Sequence, residues 1–285
     1  MGKQQLDSHT ILYGVFGDPI RHSKSPVMLN RAFEETGLNA AYAAFHILPG
    51  QLKDAIKGIR ALQFRGVNVT IPHKLEVMEY LDEIDEGARI IGAVNTIVND
   101  NGRLIGYNTD GIGYVRSLKE ETGIELHGKK VLMLGAGGAA RGVGYALAKE
   151  GAAHIYIANR TREKAEELAQ SMSGFTGVTG MGLDEIADVA GDVALIVNNT
   201  SLGMHPNVDS VPMDTTLVRE HMVVSDLVYN PMITKFLRES EARGATIHSG
   251  LGMFIYQGAY AFEYWTGVPA PTAAMREAVL QSFNS

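Results

Sequence analysis

The residues that could do chemistry fall into a few groups, and the most regular is a glycine-rich turn. In LGAGGAAR (134–141), Gly135-x-Gly137-x-x-Ala140 follows one apolar run and opens an amphipathic one. This is the G-x-G-x-x-G/A form that holds a dinucleotide pyrophosphate. Gly135 permits the tight turn, while Gly137 lets backbone N–H groups approach the anion. Ala140 is small enough for the helix to lie close to the sheet, and the helix dipole favours negative charge at its start. The next group is Asn159-Arg160-Thr161 with Arg162 and Lys164 close behind. A site selective for NAD carries Asp or Glu at this distance, about 20 residues on, to accept from the ribose hydroxyls. A carboxylate there would repel a 2′-phosphate, whereas a guanidinium grips one with paired charge-assisted hydrogen bonds. The cofactor expected is therefore NADP(H). The alternative is a solvated Arg/Lys cluster opening an amphipathic helix.

Hydride chemistry at a carbon bearing oxygen also needs a proton-handling group and polar groups that fix the substrate. Asn68-Val-Thr70-Ile-Pro-His73-Lys74 puts Asn68 and Thr70 on one face of a strand, with Lys74 just past its end, where open α/β sheets place ligands. Lys74 is the candidate proton shuttle and His73 its rival. Asn95 lies in GAVNTI, Asp110 in Asn108-Thr109-Asp110-Gly111, and Ser23 and Ser25 follow Arg21-His22. Each has an ordinary reading beside the functional one: a lysine at a helix start is commonly solvated, Asp110 would cap the helix it opens, and Ser25 would cap the helix that Pro26 begins. Met253, Phe254 and Tyr256 read on pattern alone as helix core. The 9 histidines show no HExxH or paired-ligand spacing, so no metal site is expected.

These residues need elements to hold them. Apolar runs alternate with amphipathic ones: strands at 11–16, 42–48 and 66–71, a helix from Ser25-Pro26 to near Gly37, another carrying Leu52, Ile56, Ile59 and Leu62, and a short one with Leu75 and Met78. That β-α-β-α-β-α pattern implies a mostly parallel sheet. Strands at 93–98 and 103–107 flank Asn101-Gly102, a hairpin signal. A helix from Thr109 to about Glu121 leads to a second series: strand 129–135, a helix to about Glu150, strand 154–158, helix 162–172, and strands 193–198 and 223–229. Helices over 251–266 and 273–283, separated by Pro269 and Pro271, end the chain. The fold class expected is α/β with two domains.

Composition narrows the function further. The chain has 285 residues, 25 Lys+Arg against 32 Asp+Glu, a net charge of −7 and 32 glycines. An acidic chain is a poor general binder of nucleic acid or anionic membrane. With no cysteine, thiolate chemistry, disulfides and iron–sulfur clusters are excluded. The first ten residues are polar, and no run reaches the ~18 apolar residues that span a bilayer, so a soluble cytoplasmic protein is expected. The sequons at Asn68 and Asn198 then have no glycosylation to receive.

Taken together, GDPIRHSKSP (17–26), NVTIPHK (68–74), GAVNT (92–96), GYNTDGIG (106–113), LGAGGAAR, NRT (159–161), NTSLGM (199–204), DLVYNP (226–231) and GLGMFIYQG (250–258) resemble the shikimate dehydrogenase family in order and spacing, over essentially the whole chain. The resemblance implies NADPH-dependent, reversible reduction of 3-dehydroshikimate to shikimate in aromatic amino-acid biosynthesis. It implies Lys74 and Asp110 as the pair handling the proton at the C3 oxygen, with Ser23, Ser25, Asn68, Thr70, Asn95 and Gln257 binding the carboxylate and hydroxyls and Tyr229 lining the same cleft. It places Gly135, Gly137, Gly138 and Ala139 at the pyrophosphate, Asn159, Arg160, Thr161 and Lys164 at the adenosine end, and Met204, Gly250 and Met253 at the nicotinamide end. It also implies that 1–110 and 250–285 form an N-terminal, mostly parallel α/β substrate domain and 111–249 an NADP-binding Rossmann domain, the last helices returning to the first. A homodimer is compatible with it. One departure is Leu29-Asn30 where the family often has His-Asn; Leu29 lies on the helix, so no loss of activity is expected. Two further readings are a quinate/shikimate dehydrogenase using NAD or both cofactors, and an inactive metabolite sensor, against which intact Lys74 and Asp110 argue.

Overall fold

The computed structural model describes residues 6–283, and the chain divides into two units: Met1–Thr109 with Gln257–Ser285, and Asp110–Tyr256. In the first unit β1 (Ile11–Gly17), α1 (Ser25–Thr36), β2 (Ala40–His46), α2 (Leu52–Ala61) and β3 (Gly66–Val69) alternate. A 3-10 turn at Glu76–Tyr80, β4 (Glu83–Ile84), α3 (Glu86–Ile91), β5 (Thr96–Asp100) and β6 (Arg103–Tyr107) follow. The sheet order is β2-β1-β3-β5-β6-β4. β1 is parallel to β2 and β3, and β5 is antiparallel to β3 and β6. The start of β5 therefore lies beside the end of β3, and β6 runs back to that same edge. The segments after β1, β3 and β6 and before β5 collect along one end of the sheet, and nearly every candidate of this unit is on them.

Local chemistry explains the elements. Leu52, Ile56 and Ile59 recur at helical spacing and join Phe16, Phe64, Val67 and Val69 in a buried cluster. Leu62 was expected on that face, but α2 stops at Ala61 and the positive φ of Gln63 turns the chain away, leaving Leu62 65% exposed. The hairpin reads as expected, with φ of 52° at Asn101 and 97° at Gly102, the sign pair of a type I′ turn. β3 ends at Val69 rather than at residue 71, and β2 ends at His46, where its pairing with Gly17 of β1 runs out.

The second unit carries α4 (Asp110–Thr122), β7 (Lys130–Leu134), α5 (Gly138–Lys149), β8 (His154–Ala158), α6 (Arg162–Met172), β9 (Gly177–Met181), α7 (Ile186–Val189), β10 (Leu195–Asn198), β11 (Val223–Asp226), α8 (Lys235–Glu241) and β12 (Thr246–His248). All six strands are parallel, in the order β12-β11-β10-β7-β8-β9. Counted from β7 this is 3-2-1-4-5-6 read from the other edge, the doubly wound dinucleotide-binding order. Its strand order reverses between β7 and β10, the point where such sheets bind ligands. Successive residues feed opposite faces: Val131, Met133, Leu195 and Val197 enter one buried cluster and Leu132, Leu134 and Ile196 the other. β9, α7, α8 and β12 are not marked in the sequence reading. They are short, and GVTGM and TIH carry too few apolar residues to show a period.

α9 (Gly250–Thr266) and α10 (Thr272–Gln281) complete the chain. The division between units falls within α9, after Tyr256, rather than before Gly250. In the first unit Trp265 of α9 donates from its indole nitrogen to the Ile97 carbonyl at 2.9 Å. Among the described residues no helix is long and apolar enough to cross a membrane.

Candidate active site

The first unit brings a hydrogen-bonded array to the end of its sheet. Asn68, on β3 and only 7% exposed, accepts at Oδ1 from the Tyr42 hydroxyl at 2.7 Å. Its Nδ2 donates to the Asn95 carbonyl and to Thr96 Oγ1, both at 3.1 Å. The Asn95 amide in turn donates to Thr109 Oγ1 at 3.0 Å and accepts the Thr109 N–H at 2.9 Å. Thr70 follows β3, half-buried, its N–H bonded to the Phe16 carbonyl at 2.9 Å. Lys74 is half-buried beyond it, its carbonyl accepting from Val94 N–H at 2.9 Å. Gln257 is half-buried on α9.

Two expectations change here. Ser25 does not cap α1: it is the first helical residue, Lys24 is the cap position without a side-chain bond, and Ser23 Oγ instead accepts the Ser25 N–H at 3.3 Å. A residue with a helical backbone cannot fold its hydroxyl over the helix start, so the Ser25 hydroxyl serves elsewhere. His73 is not a plausible rival to Lys74. It is fully buried, and its Nε2 lies 2.7 Å from the Ile47 carbonyl. A carbonyl only accepts, so Nε2 is the donor in this bond. The ring ties the loop after β3 to the chain just past β2 and lies out of contact with solvent.

The second unit presents a different surface. Gly135 has φ +98°, and a Cβ there would lie 2.7 Å from Thr200 Cγ2, so both backbone and space require glycine. Gly137 and Gly138 are exposed at the start of α5, and a Cβ on either would meet nothing within 4 Å. Ala139 is half-buried and Ala140 fully buried behind them. No acidic residue sits in the first turn of α5, so a bare helix start faces outward, ready for an anion. At the end of β8, Asn159 donates to the Thr161 carbonyl at 2.8 Å, and Thr161 opens α6. Arg162 is committed to Glu166 and Glu185, both at 2.8 Å. Among the described residues Arg160 and Lys164 enter no ion pair, and both are exposed. Of the three cations after β8, the two left without an ion pair are the two that the resemblance names.

The remaining candidates are placed by this unit's loops and helices. Asp110, nearly buried, is the first residue of α4. Tyr229 stacks on Phe254 with ring centroids 5.0 Å apart, and burial raises its phenol pKa. Met204 is 45% exposed on the loop after β10. Met253 is partly buried against the core, and Gly250 lies so near the Leu227 carbonyl that a Cβ would sit 2.2 Å from it. That close approach is a packing reason for glycine at the start of α9.

Sequence reasoning missed the carboxylate that arranges these loops. Asp226, fully buried at the end of β11, accepts from Asn198 Nδ2 and Val228 N–H at 3.0 Å each and from Thr234 Oγ1 at 2.7 Å. Asn198 Oδ1 accepts the Thr200 N–H at 3.0 Å and the Thr200 hydroxyl at 2.7 Å. Together they fix the turns leading to Met204 and Tyr229. Burial raises the Asp226 pKa, while the Val228 N–H, Thr234 and Asn198 bonds oppose it. The only sequence signal is an acid inside an apolar strand.

Known families match this arrangement along the chain. "Shikimate dehydrogenase substrate binding domain" covers residues 15–97, "Shikimate / quinate 5-dehydrogenase" 117–227 and "Shikimate 5'-dehydrogenase C-terminal domain" 250–280. A shikimate dehydrogenase (NADP(+)) of Geobacillus sp. (strain WCH70) is 50% identical over 273 residues, 96% of this chain and 99% of the relative. The chain belongs to the shikimate dehydrogenase family. Another family member, the shikimate dehydrogenase (NADP(+)) of Methanopyrus kandleri, is 49% identical over 281 residues, 97% of each chain. A crystal structure of a shikimate dehydrogenase in complex with NADP+ superposes with a TM-score of 0.92 at 46% identity over 98% of both chains. The family departure at Leu29 is a core position: Leu29 is fully buried on α1.

Proposed function

We propose that the protein interconverts shikimate and 3-dehydroshikimate with NADP(H). The observation that carries the reading is the pairing of a full-length family match with cations that fit the phosphate of this cofactor. Arg160 and Lys164 are exposed and unpaired among the described residues, while the neighbouring Arg162 is neutralised. A bound NADP+ would supply the hydride acceptor for oxidation at C3, and NADPH the donor for reduction. The exposed Gly137 and Gly138, backed by Gly135 and Ala139, would hold the pyrophosphate, Asn159, Arg160, Thr161 and Lys164 the adenosine end, and Met204, Gly250 and Met253 the nicotinamide end.

The chain's residues then handle the substrate and one proton. Lys74 and Asp110 are assigned to proton traffic at the C3 oxygen: in oxidation the hydroxyl proton leaves to them as the carbonyl forms, and in reduction it returns. Ser23, Ser25, Asn68, Thr70, Asn95, Gln257 and Tyr229 are assigned to the carboxylate and ring hydroxyls. Hydroxyl and amide groups suit a polyhydroxylated acid, since they bind it without a permanent charge of their own. A cysteine-free chain working with a reduced nicotinamide fits the cytoplasm, and a homodimer, read by light scattering, is its proposed assembly.

The decisive experiment follows absorbance at the nicotinamide band with shikimate or quinate and NADP+ or NAD+ in all four combinations. Fastest turnover with shikimate and NADP+ is expected. Faster oxidation of quinate with NAD+ would move the assignment to the quinate activity named in one of the matching families, and a folded protein with no turnover would overturn it.

A further inference from the structure

Tyr42 belongs to no group singled out above, yet it is tied to one of them. Its ring is buried on β2, and α1 grips its backbone from both sides: Asn30 Oδ1 accepts the Tyr42 N–H at 2.8 Å and Asn30 Nδ2 donates to the Tyr42 carbonyl at 2.9 Å. From this anchor the Tyr42 hydroxyl reaches Asn68 Oδ1 at 2.7 Å. The direction of every bond around Asn68 follows from chemistry. The Asn95 carbonyl can only accept, so the amide nitrogen of Asn68 must face it, and the amide oxygen must face Tyr42. Both N–H protons of Asn68 are then spent inside the protein, on the Asn95 carbonyl and on Thr96 Oγ1. What Asn68 has left is the second lone pair of Oδ1.

We propose that Tyr42 is a positioning residue which, with the Asn95 carbonyl, locks the Asn68 amide so that it offers a substrate hydroxyl an acceptor and never a donor. The inference rests on the reading above that Asn68 binds the substrate. Burial pushes the Tyr42 phenol well above its ordinary pKa, with a hydrogen bond from Ser25 opposing, so the phenol keeps the proton it donates. A donor–acceptor pattern set this way discriminates: a ligand bringing a hydroxyl is bound, and one bringing a carbonyl or ether oxygen to that point meets oxygen against oxygen.

The test is a double-mutant cycle on KM for shikimate with saturating NADP+, using Tyr42→Phe, Asn68→Ala and the pair, with KM for NADP+ measured beside it. Tyr42→Phe removes one oxygen from a buried ring and is expected to raise KM for shikimate about tenfold, the loss of one aligned hydrogen bond, with KM for NADP+ unchanged. Added to Asn68→Ala it is expected to change KM less than about twofold, because coupled residues are non-additive. If Asn68→Ala does not fold, Asn68→Ser supplies the second background. An unchanged KM in Tyr42→Phe alone, or full additivity in the pair, would overturn the positioning role while leaving Asn68 as a ligand. An unchanged KM in the Asn68 variant would instead overturn the substrate role of Asn68, and the positioning role with it.

Discussion

The ends of the two units proposed to bind substrate and cofactor are built by opposite means. Around Asn68 and Asn95 nearly every donor and acceptor is paired inside the protein, and the groups are buried. Around Gly137, Arg160 and Lys164 the backbone is bare and the side chains are exposed. A small polyhydroxylated acid offers a few directional contacts, so its site gains selectivity from amides that cannot rotate. A dinucleotide brings phosphates, and charge attracts them from any orientation, so flexible cations and free N–H groups suffice.

The largest effect should come at the residue of the first unit proposed to handle the proton. Lys74→Ala is expected to lower kcat by about a thousandfold, within the range for a lost acid–base group, while calorimetry still finds shikimate binding. A kcat within tenfold of the wild type would remove Lys74 from the reaction.

Next in size is a perturbation of the second unit's own buried array. Asp226→Ala strands the Asn198, Val228 and Thr234 donors and is expected to cost about 3 kcal/mol of stability in urea unfolding. Asp226→Asn keeps an acceptor for Asn198 and Val228 and can donate to Thr234, so it should cost far less. Its difference from the wild type also carries a pH signature. The folded pKa of Asp226 is raised by burial, so between the ordinary carboxylate value and that raised value the folded state holds the proton more tightly than the unfolded one. Wild-type stability from this group therefore falls as pH rises through the window. Asp226→Asn lacks that fall, so it should gain relative to the wild type with rising pH; a difference independent of pH would show that the carboxylate does not titrate there.

A smaller effect tests the exposed cations. Arg160→Ala is expected to raise KM for NADPH ten- to a hundredfold, about 1.4–2.8 kcal/mol, with NADH use little changed. Equal losses with both cofactors would make the arginine structural. The smallest is a salt effect: raising ionic strength from about 0.05 to 0.5 M should weaken NADP+ several-fold more than shikimate, since exposed charges are screened and buried hydrogen bonds are not. Matching slopes would erase the contrast between the two ends.

Much of this was legible in residue order because it depends on near neighbours. Gly135-x-Gly137 between a strand and a helix, the Asn101-Gly102 turn and the apolar stripe of α2 involve residues a few positions apart, so type and spacing alone imply the geometry. The family resemblance added residue roles to those elements. Leu62 shows the limit even at short range, since a single positive φ at Gln63 took it off the helix face.

What the sequence by itself determined is therefore the alternation of most strands and helices, the glycine-rich turn of the second unit and the chemical types present at each loop. Tertiary structure alone decided which of those types are free to act. Arg162 and Arg160 are equivalent as letters, and Glu185, folded in from a later segment to join Glu166, pairs with the first. His73 is a candidate acid–base group until the Ile47 carbonyl, brought near by the pairing of β2 with β1, accepts a hydrogen bond from its Nε2. The Asn68 amide has a direction only because Tyr42 and Asn95, each more than twenty positions away, sit on either side of it. Hydrogen-bond direction, burial and charge pairing are properties of the surroundings of a residue, and those surroundings exist only once strands distant in sequence lie side by side.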